Sequence, residues 1–84
     1  MNVKSLRSNL GLDQVQFGNL FGVHSMTVSR WERGILRPSD YQLALMMEFE
    51  KAANVKDLKD TLRTALVGAG VVTALYLLLK HARS

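Results

Sequence analysis

The sequence predicts an all-α fold: a compact set of four short helices over residues 1–54, followed by one long apolar helix over residues 55–84. Three observations predict it. Apolar residues recur at helical spacing, as in Val3, Leu6 and Leu10 or Phe17 and Phe21, which marks helices with one inward face. Capping residues and glycines punctuate these runs, Asp13 and Ser39 as starts, Gly11, Gly22 and Gly34 as stops. No charged residue occurs over residues 64–79, TALVGAGVVTALYLLL.

The first helix carries Val3, Leu6 and Leu10 inward and ends at Gly11, with Leu12 as a core plug. Asp13 caps the second, which runs to about Phe21 and stops at Gly22, where the chain needs positive φ. Gly18 lies inside that helix, at a cost of ~1 kcal/mol relative to alanine. Its place is explained if two helix backbones cross closely there. The third helix spans residues 25–33 and ends at Gly34. His24 or Ser25 must cap it, and histidine is a poor cap. Pro38 breaks the following loop, and Ser39 caps a fourth helix with Asp40 in its first turn, the favourable end for an acid. Tyr41, Leu45, Met46, Phe49 and Ala52 give this helix an inward face, with Met46 and Met47 as adaptable core filler.

Phe17, Phe21, Val23, Val28 and Trp31 are thus the core of two short helices meeting at a sharp turn. The second of these opens on polar or small residues, Ser25, Met26 and Thr27, followed by Ser29 and Arg30. Such a pair presents one helix outward while the other braces it, the arrangement by which a helix-turn-helix enters the major groove of DNA.

Composition sets the outer limits. Eighty-four residues make one small domain, near the size where extra burial or dimerisation helps. The net charge of +4 suits a polyanionic partner. Residues 1–40 carry Lys4, Arg7, Arg30, Arg33 and Arg37 against Asp13, Glu32 and Asp40, and three of those five cations fall in or just after the third helix. Cysteine is absent, which excludes disulfides and thiolate metal sites and points to the cytoplasm. His24 and His81 lack metal-ligand spacing, so no metal and no cofactor is expected. Residues 1–10 lack the apolar run of a signal peptide. No nucleophile–base pair, phosphate loop or paired carboxylates point to an enzyme.

The stretch LRSNLGLDQVQFGNLFGVHSMTVSRWERGILRPS, residues 6–39, resembles the helix-turn-helix of the Cro/cI phage-repressor family, the XRE-type regulators. The resemblance rests on LGL-x-Q, a small residue at 18, FGV, TVSRWERG and RPS in order. It implies that Ser25, Met26, Ser29 and Arg30 face bases, with Thr27 beside them. It further implies that Gln14 bonds a phosphate and braces the reading helix. Arg33 and Arg37, with amides of the intervening loop, take the place of the family's phosphate clamp. Arg7 and Glu32 match a buried ion pair of some members, and Trp31 belongs to the core. Two departures stand out: His24 replaces a small hydroxyl cap, and no basic arm precedes the first helix.

Base chemistry agrees with these places. Arg30 can donate two parallel bonds to guanine O6 and N7, whereas Met26 offers only apolar contact, as to a thymine methyl. Ser25 and Ser29 suit either a base edge or a phosphate.

The tail has three readings. Leu58, Leu62, Leu66, Ala69, Val72, Leu75 and Leu79 keep helical phase, so one helix over residues 55–82 is expected. It serves as a homodimer interface, folds back on the domain, or associates with a membrane, and under each of these Gly68 to Gly70 is a place where the helix can kink or break. A 28-residue helix reaches ~42 Å, too long for so small a core to cover. The sixteen uncharged residues reach only ~24 Å against a hydrocarbon layer of ~30 Å. Dimerisation is favoured, and truncation after Asn54 is then expected to leave a folded monomer. The function expected is a sequence-specific, homodimeric transcriptional repressor acting on double-stranded DNA at a palindromic operator. Alternatives are an antitoxin-like module whose C-terminal segment binds a protein partner, and a membrane-associated DNA-binding protein.

Overall fold

A computed structural model describes residues 2–55 and 57–82. The order is α1 (Val3–Asn9), α2 (Gln14–Phe21), α3 (Ser25–Glu32), α4 (Asp40–Ala52), α5 (Leu58–Gly68) and α6 (Val71–Ala82), with no strand among the described residues. The all-α expectation holds, the ends of α1, α2 and α3 fall within about two residues of the places read from the sequence, and α2, α3 and α4 start where it places them.

Local chemistry accounts for those ends. Asn2 Oδ1 accepts from Ser5 N at 3.0 Å and opens α1. Asp13 and Gln16 form a reciprocal capping box at α2, as do Ser39 and Gln42 at α4, each satisfying amides that a helix start leaves unpaired. Gly11, Gly22 and Gly34 all have positive φ, at 72°, 66° and 75°.

One core runs through all six helices. Leu6, Leu10, Leu12, Phe17, Leu20, Val28, Trp31, Met46, Phe49 and Ala52 share it with Leu58, Leu62, Ala65, Ala74 and Leu78. Phe21 links its parts, with ring centroids 5.0 Å from Phe17, 5.8 Å from Trp31 and 5.6 Å from Phe49. The Trp31 pair is edge-on, a geometry aromatic quadrupoles favour.

Two expectations for α4 need correction. Met46, Phe49 and Ala52 are buried and Leu45 partly so, but Tyr41 is 77% exposed and Met47 is also exposed. Tyr41 lies in the first turn and lines an open groove with Leu45, Glu48 and Leu79 of α6, and Met47 is one residue out of phase with the buried stripe.

The larger correction concerns the tail. There is no single long helix: α5 ends at Gly68, and Gly70 takes φ +93°, a conformation that favours glycine. After this break α6 returns and packs on α4, α5 and α2. The protein measures 31 × 24 × 19 Å, shorter in every direction than a 28-residue helix at ~42 Å. The reversal also resets the phase. Ala74 and Leu78 are buried on α6, whereas Val72, expected inward, is largely exposed. Ala69, at the break, is exposed as well. Arg63 Nη2 donates to Gly11 O at 2.9 Å and ties α5 to the α1–α2 turn. Among the described residues no helix is long and apolar enough to cross a membrane.

Candidate nucleic-acid interface

Gly22, Val23 and His24 join α2 to α3, and Gly18 explains how tightly. A Cβ built on Gly18 would lie 2.6 Å from Val23 O and 3.3 Å from Val28 Cγ2. Val23 N in turn donates to Gly18 O at 3.0 Å. The close neighbour is therefore the carbonyl of the turn and not, as expected, the backbone of a crossing helix. Gly22 caps α2 with left-handed backbone, so the turn closes without strain.

His24 does cap α3: its Nδ1 accepts from Met26 N at 3.1 Å. An imidazole can accept there only while that nitrogen is unprotonated. Downstream, Val28 and Trp31 are buried and fix which side of α3 faces the core. At 100° per residue, Met26, Ser29, Arg30 and Arg33 then share the outward side, with Ser25 and Thr27 at its edges. Met26, Arg30 and Arg33 are exposed; Ser25, Thr27 and Ser29 are half-buried. The residues expected to face bases thus lie together on one accessible helix face.

The brace beneath this face is an ionic cluster. Arg7 Nε donates to Glu32 Oε2 at 2.6 Å and Arg7 Nη2 to Glu32 Oε1 at 3.2 Å, while Arg7 Nη1 reaches Leu12 O at 2.9 Å. Gln14 Nε2 adds a third donor to Glu32 Oε1 at 3.2 Å. Burial pushes the Glu32 carboxyl up, but bonds from Arg7 and Gln14 outweigh it and hold the group below the usual glutamate range. The bond to Glu32 raises Arg7 in turn. Gln14 therefore braces the end of α3, and its amide is directed at Glu32.

The basic loop after α3 differs in detail from the expected clamp. Ile35 N and Leu36 N both donate to Arg30 O, at 3.0 and 3.3 Å, and Gly34 N donates to Trp31 O at 3.2 Å. Those amides are turned inward to finish the helix. What the loop presents outward is the guanidinium groups of Arg33 and Arg37, both exposed, although Arg33 Nε also touches Ser29 O at 3.4 Å. Sequence reasoning missed Ile35 and Leu36, which are exposed apolar residues between these arginines. Two large aliphatics in a loop between Gly34 and Pro38, outside any helical phase, were the signal.

A second exposed feature lies on α5 and α6. Val67, Val72 and Tyr76 are 80, 81 and 63% exposed, on the stretch that carries no charge. No group of three or more metal-binding side chains is placed to hold an ion among the described residues. Neither a family model, nor a curated protein, nor a solved structure matches the chain.

Proposed function

We propose that this chain is a sequence-specific DNA-binding transcriptional regulator of the helix-turn-helix type, a homodimeric, cytoplasmic repressor without enzymatic activity or cofactor. One observation carries the proposal: α3 turns Met26, Ser29, Arg30 and Arg33 outward as a single accessible face while α2 and the Arg7–Glu32–Gln14 cluster hold it from behind. Arg30 and Met26 are the base readers, with Ser25, Thr27 and Ser29 at the groove walls. Arg33 and Arg37 meet phosphates through charge. The resemblance of residues 6–39 to Cro/cI-type repressors supports the same roles.

The exposed apolar side chains of Val67, Val72 and Tyr76 on α5 and α6 are the surface proposed for a protein partner, since exposed apolar surface is a common site of association. A second copy is the partner proposed. A dimer of this kind would have to set its two α3 helices about one turn of DNA apart, ~34 Å, to read a palindromic operator. The antitoxin-like alternative uses the same face for a different protein.

Binding of the full chain to duplexes selected from random fragments, followed across a salt series, tests the proposal. Expected are a discrete two-fold footprint, affinity falling steeply with salt, and a dimer in sedimentation. No enrichment of any sequence overturns the regulator. A monomer that binds weakly but forms a stoichiometric complex with another protein favours the alternative.

A further inference from the structure

Arg30 Nη2 lies 3.8 Å from Met26 Sδ, across one turn of α3. Both side chains are exposed, so nothing in the core holds them together. The direction follows from helix geometry, in which long side chains lean back over the preceding turn. The guanidinium consequently overlies Met26 instead of projecting from its own level on the helix.

This contact changes what the pair can reach. Had each side chain projected straight out, the two ends would stand ~6 Å apart, the rise of four helical residues. Drawn together to 3.8 Å, they are near van der Waals contact, so the base edges they meet must themselves be neighbours. The contact with sulfur engages a single N–H, and a guanidinium has five. A fork for guanine O6 and N7 therefore remains. The thioether end of Met26 has no donor to give, and its apolar match in the major groove is the C5 methyl of thymine.

We infer that α3 reads a dinucleotide unit, a guanine held by Arg30 with a thymine on the adjacent base pair packed against Met26. The inference rests on the regulator proposed above and narrows its substrate to half-sites that contain this step.

Selection from a random duplex library with the full chain supplies the half-site, and three substitutions then test its atoms. Uracil in place of the thymine removes only the methyl and is expected to weaken binding about 3- to 10-fold. Replacing guanine by 7-deazaguanine removes one acceptor and is expected to cost about tenfold or more. In Met26→Ala, thymine and uracil duplexes are expected to bind equally. Enriched half-sites with guanine but no neighbouring thymine overturn the inference and leave the regulator standing, as does a Met26→Ala protein that still prefers thymine. Absence of any enriched sequence overturns both.

Discussion

Arg7 and Glu32 meet at 2.6 Å across 25 residues of chain, joining the first helix to the last turn of the proposed reading helix. Their side chains are only 15 and 7% exposed, so neither can recover full hydration if the other is lost. Truncating one member of a well-buried pair costs ~3–5 kcal/mol. Residual exposure here, and the Gln14 bond that survives, reduce the expectation for Arg7→Ala to ~2–3 kcal/mol in urea unfolding. A loss below ~0.5 kcal/mol would place the pair among ordinary surface bridges.

The same pair predicts an acid-side loss of stability. Folding lowers the Glu32 carboxyl below its usual value, through Arg7 and Gln14 acting against burial. Its contribution is therefore complete above the unfolded glutamate value and disappears as pH falls through the lower folded one. Unfolding midpoints of the natural protein and Glu32→Gln, measured from about pH 6 to about pH 3, are expected to converge toward acid. A gap that stays constant with pH would contradict a depressed carboxyl.

Gly18 and Gly68 both sit in helices, yet alanine should act on them with opposite sign. At Gly18 the new Cβ meets Val23 O at 2.6 Å, a backbone atom of the turn that cannot rotate away. Overpacking costs ~1–3 kcal/mol, which exceeds the ~1 kcal/mol that alanine gains in helix propensity. Beside Gly68 a Cβ meets nothing within 4 Å, so the propensity gain stands alone, reduced by its position at the end of α5. Thermal unfolding of the two variants is expected to show a lower midpoint for Gly18→Ala and an equal or higher one for Gly68→Ala.

The contrast shows where the fold was legible. The starts of α2 and α4 and the ends of α1 to α3 could be read because each is written in a few local atoms: an Asp13 carboxylate, a Ser39 hydroxyl, a glycine able to take positive φ. The face of α3 was legible for the same reason, since Val28 and Trp31 leave only one side for Met26 and Arg30. Residues 64–79 were different. With apolar residues on every side of the expected helix there was no polar stripe to fix its phase, and Gly68 and Gly70 did not say which of them would break it. Close packing then selected small Ala65 and Ala74 for burial over the larger Val67 and Val72, an outcome that depends on helix approach and not on hydrophobicity. Tyr41 was misplaced because phase alone cannot show that the groove it lines with Leu79 stays open to solvent.

The folded-back tail reverses the expectation for truncation. Leu58, Leu62, Ala65, Ala74 and Leu78 belong to the common core and are nearly or wholly buried. Removing residues 55–84 would uncover the faces of α2 and α4 on which α6 packs. A chain ending at Asn54 is expected to lose cooperative unfolding, where an independent tail would leave it intact. Leu78→Ala offers a gentler test. It should cost ~2–5 kcal/mol in the full-length protein, and a cost under ~1 kcal/mol would show that the α6 packing contributes little.

Arg30 and Arg37 carry the same charge but are proposed for different partners, which separates their variants. Arg37→Ala removes a phosphate contact, so it is expected to weaken specific and random duplexes alike. It should also reduce the slope of log affinity against log salt by about 1. Arg30→Ala removes a base contact worth ~1–3 kcal/mol of discrimination, so selected and random duplexes should draw together in affinity. Fluorescence anisotropy on both duplexes at several salt concentrations distinguishes them. The distinction matters because the amides of Ile35 and Leu36 are bonded to Arg30 O. With those donors turned inward, anchoring on the strand falls to the charges of Arg33 and Arg37. If Arg37→Ala leaves the salt slope unchanged while Arg30→Ala lowers it, the assignments of reader and anchor are exchanged.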